Sequence, residues 1–142
     1  MQLEVTREVV RLLEAGEPFV VAILVDAHGS TPQRVGARLL FRRDRSTVGT
    51  LGGGCIEAEV CEVARKALET GQPQVLDFTL NEDIAVDYGL ACGGTERILV
   101  DPTMQAARDG ELARKMLAAA SGEGRGVVVH VVAASNGLTP GT

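Results

Sequence analysis

The chain has 142 residues, enough for one ordinary domain that buries a hydrophobic core without a disulfide or a structural metal. With 14 basic and 19 acidic residues, its net charge of -5 excludes nucleic-acid binding through a general positive field. One tyrosine, three phenylalanines and no tryptophan also exclude an aromatic platform for stacking single-stranded bases.

The N-terminal residues have no feature of a targeting signal. Charges are spread through residues 1–16, so we expect neither a signal peptide nor a transit peptide there. The longest apolar run, residues 19–25, is too short to span a membrane. The three cysteines form no CxxC pair, which favours reduced thiols over a disulfide framework and excludes a zinc site. We therefore predict a cytoplasmic protein with no membrane partner.

The first predicted elements are a helix, a buried strand and a hairpin. Residues 2–15 show a helical apolar stripe. Residues 19–25 are continuously apolar, as in a strand that is covered on both faces within a mostly parallel sheet. Two further strand candidates, residues 37–41 and 47–51, are separated by a short polar link, which predicts a hairpin.

The remaining elements complete a layered domain. A single apolar face over residues 56–68 predicts the clearest helix of the chain, which Gly71 ends. We expect strands at residues 74–80, 96–101 and 126–134, and a second amphipathic helix at residues 105–120. The predicted fold class is α/β or α+β: one domain with a mixed, mostly parallel sheet, an embedded hairpin and helices packed on the sheet.

A glycine-rich turn, residues 49–54, separates a predicted strand from the clearest helix. Its backbone amides and the positive end of the helix dipole favour an anion there. The turn fits neither a dinucleotide-binding fingerprint nor a phosphate-binding loop with a lysine. The alternative is that its glycines serve close contact between strand and helix.

An arginine cluster precedes this turn: Arg34, Arg38, Arg42, Arg43 and Arg45. A guanidinium group binds phosphate in a bidentate manner. For the three arginines in the hairpin turn we favour a solvated edge that prevents aggregation. Arg34, beside a proline turn, is the better candidate for a ligand contact.

The cysteines and histidines offer weaker candidates. Cys92 lies in a glycine-flanked loop, where a thiol is accessible as a nucleophile or soft ligand, and Cys55 lies at a helix N-terminus that favours a thiolate. Cys61 is within the helix, so packing is its expected role. His28 is a candidate base beside Asp26, and His130 is expected to be structural.

The order of the motifs is more distinctive than any one of them. After the first strand come Gly29-Ser30-Thr31-Pro32-Gln33-Arg34, then Gly52-Gly53-Gly54-Cys55-Ile56-Glu57, then Tyr88-Gly89-Leu90-Ala91-Cys92-Gly93-Gly94, and finally Ile98-Leu99-Val100-Asp101-Pro102. This succession resembles the N-terminal domain of the XdhC/CoxI family over residues 8–134, and residues 135–142 would be a linker or tail. Many relatives continue into a C-terminal Rossmann-like domain, which we expect to be absent from this chain.

The resemblance implies a maturation factor for xanthine dehydrogenases and related molybdenum hydroxylases. Such a factor binds molybdenum cofactor transiently, protects it while a cysteine desulfurase supplies the sulfido ligand, and helps to insert it into the apo-hydroxylase. The implied partners are these two proteins and a second copy of the chain or a separate Rossmann-like subunit. The cofactor-binding residues carried over are Gly29, Ser30, Thr31, Arg34, Gly52, Gly53, Gly54, Cys55, Glu57, Cys92, Gly93 and Gly94.

One departure affects the carried-over site. Many relatives have arginine directly after the proline, whereas Gln33 intervenes here before Arg34. Two other functions stay open from the residues themselves. The chain is then either a small thiol enzyme, with Cys92 as nucleophile and His28 as base, or an interaction domain in which the glycines serve packing alone.

Overall fold

The chain forms a sheet with helices on both faces. A computed structural model of the protein describes residues 3–80, 93–103, 111–123 and 125. The elements are helix α1 (Leu3–Ala15), strands β1 (Phe19–His28), β2 (Arg38–Arg42) and β3 (Thr47–Gly49), helix α2 (Gly54–Thr70), strands β4 (Gln74–Thr79) and β5 (Thr95–Asp101), and helix α3 (Glu111–Ala120). The predicted strand at residues 126–134 and the start of the helix predicted at residues 105–120 lie outside the described residues. Within the described ranges, no helix combines the length and hydropathy needed to cross a membrane.

The five strands lie in the order β3-β2-β1-β5-β4, and each neighbouring pair is antiparallel. The prediction of a mostly parallel sheet is therefore wrong, whereas the α/β layering and the β2–β3 hairpin are confirmed. The apolar run of β1 misled the prediction because it reports burial on both faces, and such burial does not depend on strand direction. In this sheet β1 is central, and helices cover both of its faces.

Alternate residues of β1 pack into two separate core layers. On one face, Val20, Ala22 and Leu24 lie against the apolar side of α2, which buries Ile56, Val60, Ala64 and Ala67. On the other face, Phe19, Val21 and Ile23 lie against α1, which buries Val5, Val9, Val10 and Leu12. The helical period predicted for residues 56–68 is thus confirmed, and α2 ends at Gly71 in a left-handed conformation whose amide donates to the carbonyl of Ala67 over 2.8 Å.

Helix α2 runs antiparallel to β1, which gives the sheet two distinct ends. The start of α2 lies where β1 ends, since Gly52 contacts Pro32. The last turn of α2 lies where β1 begins, since Leu68 and Pro18 line one groove. A register shift in the β1–β5 pairing, between Leu24 and Asp26, accompanies the end of β1 that leads into the first glycine motif.

Candidate functional site

The three glycine motifs of the sequence meet at the end of the sheet where β1 ends, α2 begins and β5 begins. Gly94 lies directly against the backbone that follows β1. A Cβ atom on Gly94 would overlap the carbonyl oxygens of His28 and Ser30 and would lie 2.8 Å from Thr31 Cγ2. Glycine is thus required at this position because another chain segment occupies the space of a side chain.

A second close contact joins the first motif to the glycine-rich turn. A Cβ atom on Gly52 would lie 2.6 Å from Pro32 Cγ, and one on Gly29 would lie 3.1 Å from Gly94 Cα. We call this cluster, formed by residues 29–32, Gly52 and residues 93–94, the glycine junction. Segments that are far apart in sequence therefore form one continuous surface.

A network centred on Glu57 shapes the glycine-rich turn. Its Oε1 atom accepts hydrogen bonds from Thr50 Oγ1 at 2.5 Å, from the Leu51 amide at 2.7 Å and from the Gly53 amide at 2.9 Å. The hydroxyl oxygen of Thr50 in turn accepts a bond from the Gly52 amide at 3.0 Å. The carboxylate thus lies where the sequence predicted an external anion, and it satisfies amides that precede the helix.

The network also fixes the charge of Glu57. Burial alone raises the pKa of the carboxyl, but the hydrogen bonds from Thr50 and from the amides of Leu51, Gly53 and Gly52 outweigh burial, so the pKa lies below its ordinary value of 4.5. At neutral pH the turn therefore holds a permanent internal anion. The sequence singled out Glu57 but not this role. The signal that points to it is a glutamate in the first turn of a helix preceded by a polar glycine loop.

The backbone of the turn leaves the first amides of α2 outside this network. Gly52, Gly53 and Gly54 have φ values of 109°, 82° and 71°, a left-handed succession that other residues rarely adopt. A Cβ atom on Gly53 would meet nothing within 4 Å, so its glycine serves conformation and not close packing. The amides of Gly54 and Cys55 make none of the bonds to Glu57.

The other predicted site residues lie around the junction to different degrees. Ser30 and Arg34 are exposed, and the Thr31 hydroxyl donates to the Gln33 carbonyl over 3.0 Å, which closes the turn between them. Cys55 is half-buried against the core layer beneath α2. Cys92 lies outside the described residues, so its position beside Gly93 stays a prediction from the sequence.

The remaining cysteine and histidine candidates have clearer positions. Cys61 is half-buried within α2, and burial, followed by the charges of Glu57 and Glu62, raises the pKa of its thiol. His28 is 76% exposed, with its Nε2 atom 3.2 Å from Asp26 Oδ2. His130 lies outside the described residues, and the pairing of His28 with Cys92 in a thiol enzyme stays a prediction.

One buried carboxyl near the junction was not found from the sequence. Glu96 follows Gly94 on β5 and is only 2% exposed, and neither of its oxygens has a hydrogen-bond partner among the described residues. Burial raises its pKa. The period-two pattern of Glu96 with Ile98 and Val100 is the signal that places it on the covered face of the strand.

Comparison with known proteins identifies the segment that carries two of these motifs. Residues 12–79 match the model of the XdhC and CoxI family. This part of the chain belongs to that family. The resemblance drawn from the motifs is thereby confirmed.

Individual relatives agree with this result. The chain is 36% identical over 98 residues to the protein YqeB of Escherichia coli K12, covering 69% of this chain and 18% of that protein. A Bacillus subtilis 168 protein, described as one probable component of xanthine dehydrogenase, is 29% identical over 82 residues, which are 58% of this chain and 25% of that protein. The molybdenum cofactor insertion chaperone PaoD of Escherichia coli K12 is 28% identical over 90 residues, which are 63% of this chain and 28% of PaoD.

A solved structure shares the fold. A crystal structure described as a xanthine dehydrogenase from Bacillus halodurans aligns with a TM-score of 0.57 and 27% sequence identity. The alignment covers 74% of this chain and 35% of that chain. In all these comparisons the chain spans well under half of the relative, so it corresponds to one part of a longer architecture.

Proposed function

We propose that this domain binds molybdenum cofactor as cargo, within the maturation of a xanthine dehydrogenase-type molybdenum hydroxylase. The observation that carries the proposal is the glycine junction, where two of the three motifs lie within the matched family segment and the third packs against them. The names of two relatives, a cofactor insertion chaperone and a xanthine dehydrogenase component, support the same biological setting.

The chemistry of the junction suits such a cargo. The cofactor is a pterin that bears a dithiolene and a phosphate group. Arg34 is exposed beside the proline turn and would offer a guanidinium to the phosphate. The amides of Gly54 and Cys55 lie at the positive end of α2, which favours the same charge. Because Glu57 already neutralises the earlier amides of the turn, we place the phosphate at Arg34 and these two amides.

The glycines give the cargo access to the backbone. The side of Gly53 that a Cβ atom would occupy is open, so a ligand can approach the main chain closely there. We propose that Ser30, Thr31 and Gly93 line the same surface, and that Cys92 supplies a soft thiol beside the dithiolene. Glu57 then acts as a positioning residue, since it holds the turn and does not itself need to touch the ligand.

The finer steps follow from this placement. We propose that the bound cofactor is protected while a cysteine desulfurase delivers the sulfido ligand, and is then transferred to the apo-hydroxylase. The junction is an open surface at one end of the sheet, so a second wall is needed to exclude water from the cargo. A Rossmann-like domain, on a separate chain or within a longer one, or a second copy of this chain would supply that wall.

The experiment mixes reduced, oxygen-free protein with freshly released molybdenum cofactor, removes free ligand by desalting, and measures pterin absorbance and bound molybdenum. We expect retention by the wild-type protein. Arg34→Ala should weaken binding roughly 10- to 150-fold, the effect of losing a hydrogen bond to a charged group. The matched control is Arg7→Ala, because Arg7 is equally exposed but lies on α1. Failure of the wild type to retain cofactor, or equal retention by Arg34→Ala, would contradict the proposal.

A further inference from the structure

A second surface lies at the opposite end of the sheet from the glycine junction. A groove of about 370 Å³ is lined by residues of the β2–β3 turn, the last turns of α2 and the start of β1. We call it the hairpin groove. Its lining residues are Pro18, Phe41, Arg43, Arg45, Arg65, Leu68 and Glu69.

The rim of the hairpin groove is positive although the chain carries a net charge of -5. Its one carboxylate, Glu69, is already paired with Arg65, whose Nη1 atom lies 3.0 Å from Glu69 Oε1. Arg43 and Arg45 are exposed, and among the described residues neither of them forms an ion pair. Two uncompensated guanidinium groups therefore face the groove.

The hairpin turn holds these arginines on a rigid backbone. The Arg45 amide donates to the Arg42 carbonyl and the Arg42 amide donates to the Ser46 carbonyl, both over 3.0 Å. Asp44 Oδ1 further accepts a bond from the Ser46 amide at 2.9 Å. This pattern closes a short turn in which one residue adopts the left-handed conformation.

Arg45 occupies that left-handed position, with a φ of 69°, the one positive φ among the described residues other than glycine. Glycine or asparagine is the ordinary residue there, because a larger side chain strains the backbone. A strained conformation held by its surroundings is typical of a functional position. The turn thus carries arginine where glycine would fold more easily, which points to a use of the side chain.

The floor of the groove is apolar and indicates the kind of partner. Phe41 is 4% exposed and forms the floor together with the half-buried Leu68 and Pro18. A simple anion needs only the guanidinium groups. An apolar floor between them suits a chain segment that carries both carboxylates and a hydrophobic side chain.

We propose that the hairpin groove docks a short acidic segment of a partner protein. An aromatic or aliphatic side chain of that segment packs on Phe41 and Leu68, and flanking carboxylates pair with Arg43 and Arg45. The solvated edge favoured from the sequence does not explain the apolar floor. The inference is independent of cofactor binding, because the groove and the glycine junction lie at opposite ends of the sheet.

The test is a fluorescence anisotropy titration at low salt with a labelled peptide in which glutamates flank a phenylalanine. Two comparison peptides replace the glutamates with glutamine or the phenylalanine with serine, and inorganic triphosphate serves as a competitor. We expect the acidic aromatic peptide to bind more tightly than either comparison peptide. The double variant Arg43→Gln and Arg45→Gly should lose at least about fivefold in affinity, as two exposed ion pairs allow.

Two controls separate binding from folding. Arg45→Gly alone should unfold at the same temperature as the wild type or higher, since glycine relieves the left-handed strain. Arg7→Gln removes an exposed arginine on α1 and should leave peptide affinity unchanged. Equal affinity of the double variant and the wild type would overturn the proposal. Equal binding of the serine peptide with full displacement by triphosphate would also overturn it, by showing a plain anion site.

Discussion

Glu57 offers the sharpest test of how the glycine-rich turn is built. Replacing Glu57 with alanine removes the acceptor for Thr50 Oγ1 and for the amides of Leu51 and Gly53. Leu51 is 1% exposed, so its amide cannot easily regain a bond to water. A hydrogen bond to a charged group contributes about 1.5–3 kcal/mol, and bonds that share one acceptor are not additive, so we expect Glu57→Ala to lower the free energy of unfolding by about 3 kcal/mol.

The conservative variant Glu57→Gln separates charge from shape. Its amide oxygen can still accept, but the carboxylate charge is gone, so we expect a loss of about 1–1.5 kcal/mol at neutral pH. The native pKa of Glu57 lies below the ordinary value of 4.5. The stabilisation by the charge is therefore complete above pH 4.5 and is lost as the pH falls through the lower native pKa.

The assay is urea unfolding followed by far-ultraviolet circular dichroism at pH 7 and at successively lower pH values. Glu59→Gln is the matched control, because Glu59 lies on the same helix but is exposed and should change stability by less than about 0.5 kcal/mol. Two results would refute the reasoning. One is a Glu57→Ala protein as stable as the control. The other is a deficit of Glu57→Gln that grows as the pH falls.

Three further variants test the close contacts and buried charges. Gly94→Ala should destabilise by about 1–3 kcal/mol through overlap with the neighbouring backbone, whereas Gly93→Ala, with nothing within 4 Å, should be nearly neutral in the same urea titration. Glu96→Gln should raise stability at pH 7, because burial raises the pKa of this acid and its ionisation opposes folding; the gain should vanish below pH 4.5, and a gain at low pH would contradict it. Glu8→Gln should cost about 1 kcal/mol at pH 7, because the side-chain hydrogen bond from Arg11 lowers the pKa of Glu8; thermal unfolding should show the cost shrinking below pH 4.5, and an acid-independent cost would speak against it.

Local periodicity carried most of the element prediction. The apolar spacing from Ile56 to Leu68 and the polar link between β2 and β3 were sufficient, because a helix face and a short hairpin are local properties. Strand direction is not local. The apolar run of β1 is the same whether its neighbours are parallel or antiparallel, so burial on both faces was mistaken for a parallel sheet.

The site was predictable in its motifs but not in its internal contacts. The order of the Gly-Ser-Thr-Pro turn, the triple glycine and Gly93-Gly94 led to the family, and the structure brings these segments together. The sequence does not show that Glu57 occupies the turn amides, because that depends on how the helix start faces the loop. The lack of a partner for Glu96 among the described residues likewise depends on what covers one face of β5.

The central claim is that the glycine junction holds the cofactor, and amide hydrogen exchange with and without molybdenum cofactor tests it most directly. The experiment compares residues 29–34 and 52–55 with residues 42–46 of the hairpin turn, under the oxygen-free conditions of the retention assay. We predict slower exchange in the two junction segments and unchanged exchange in the hairpin turn. Retained cofactor with unchanged exchange at the junction, or with protection confined to the hairpin turn, would contradict the claim.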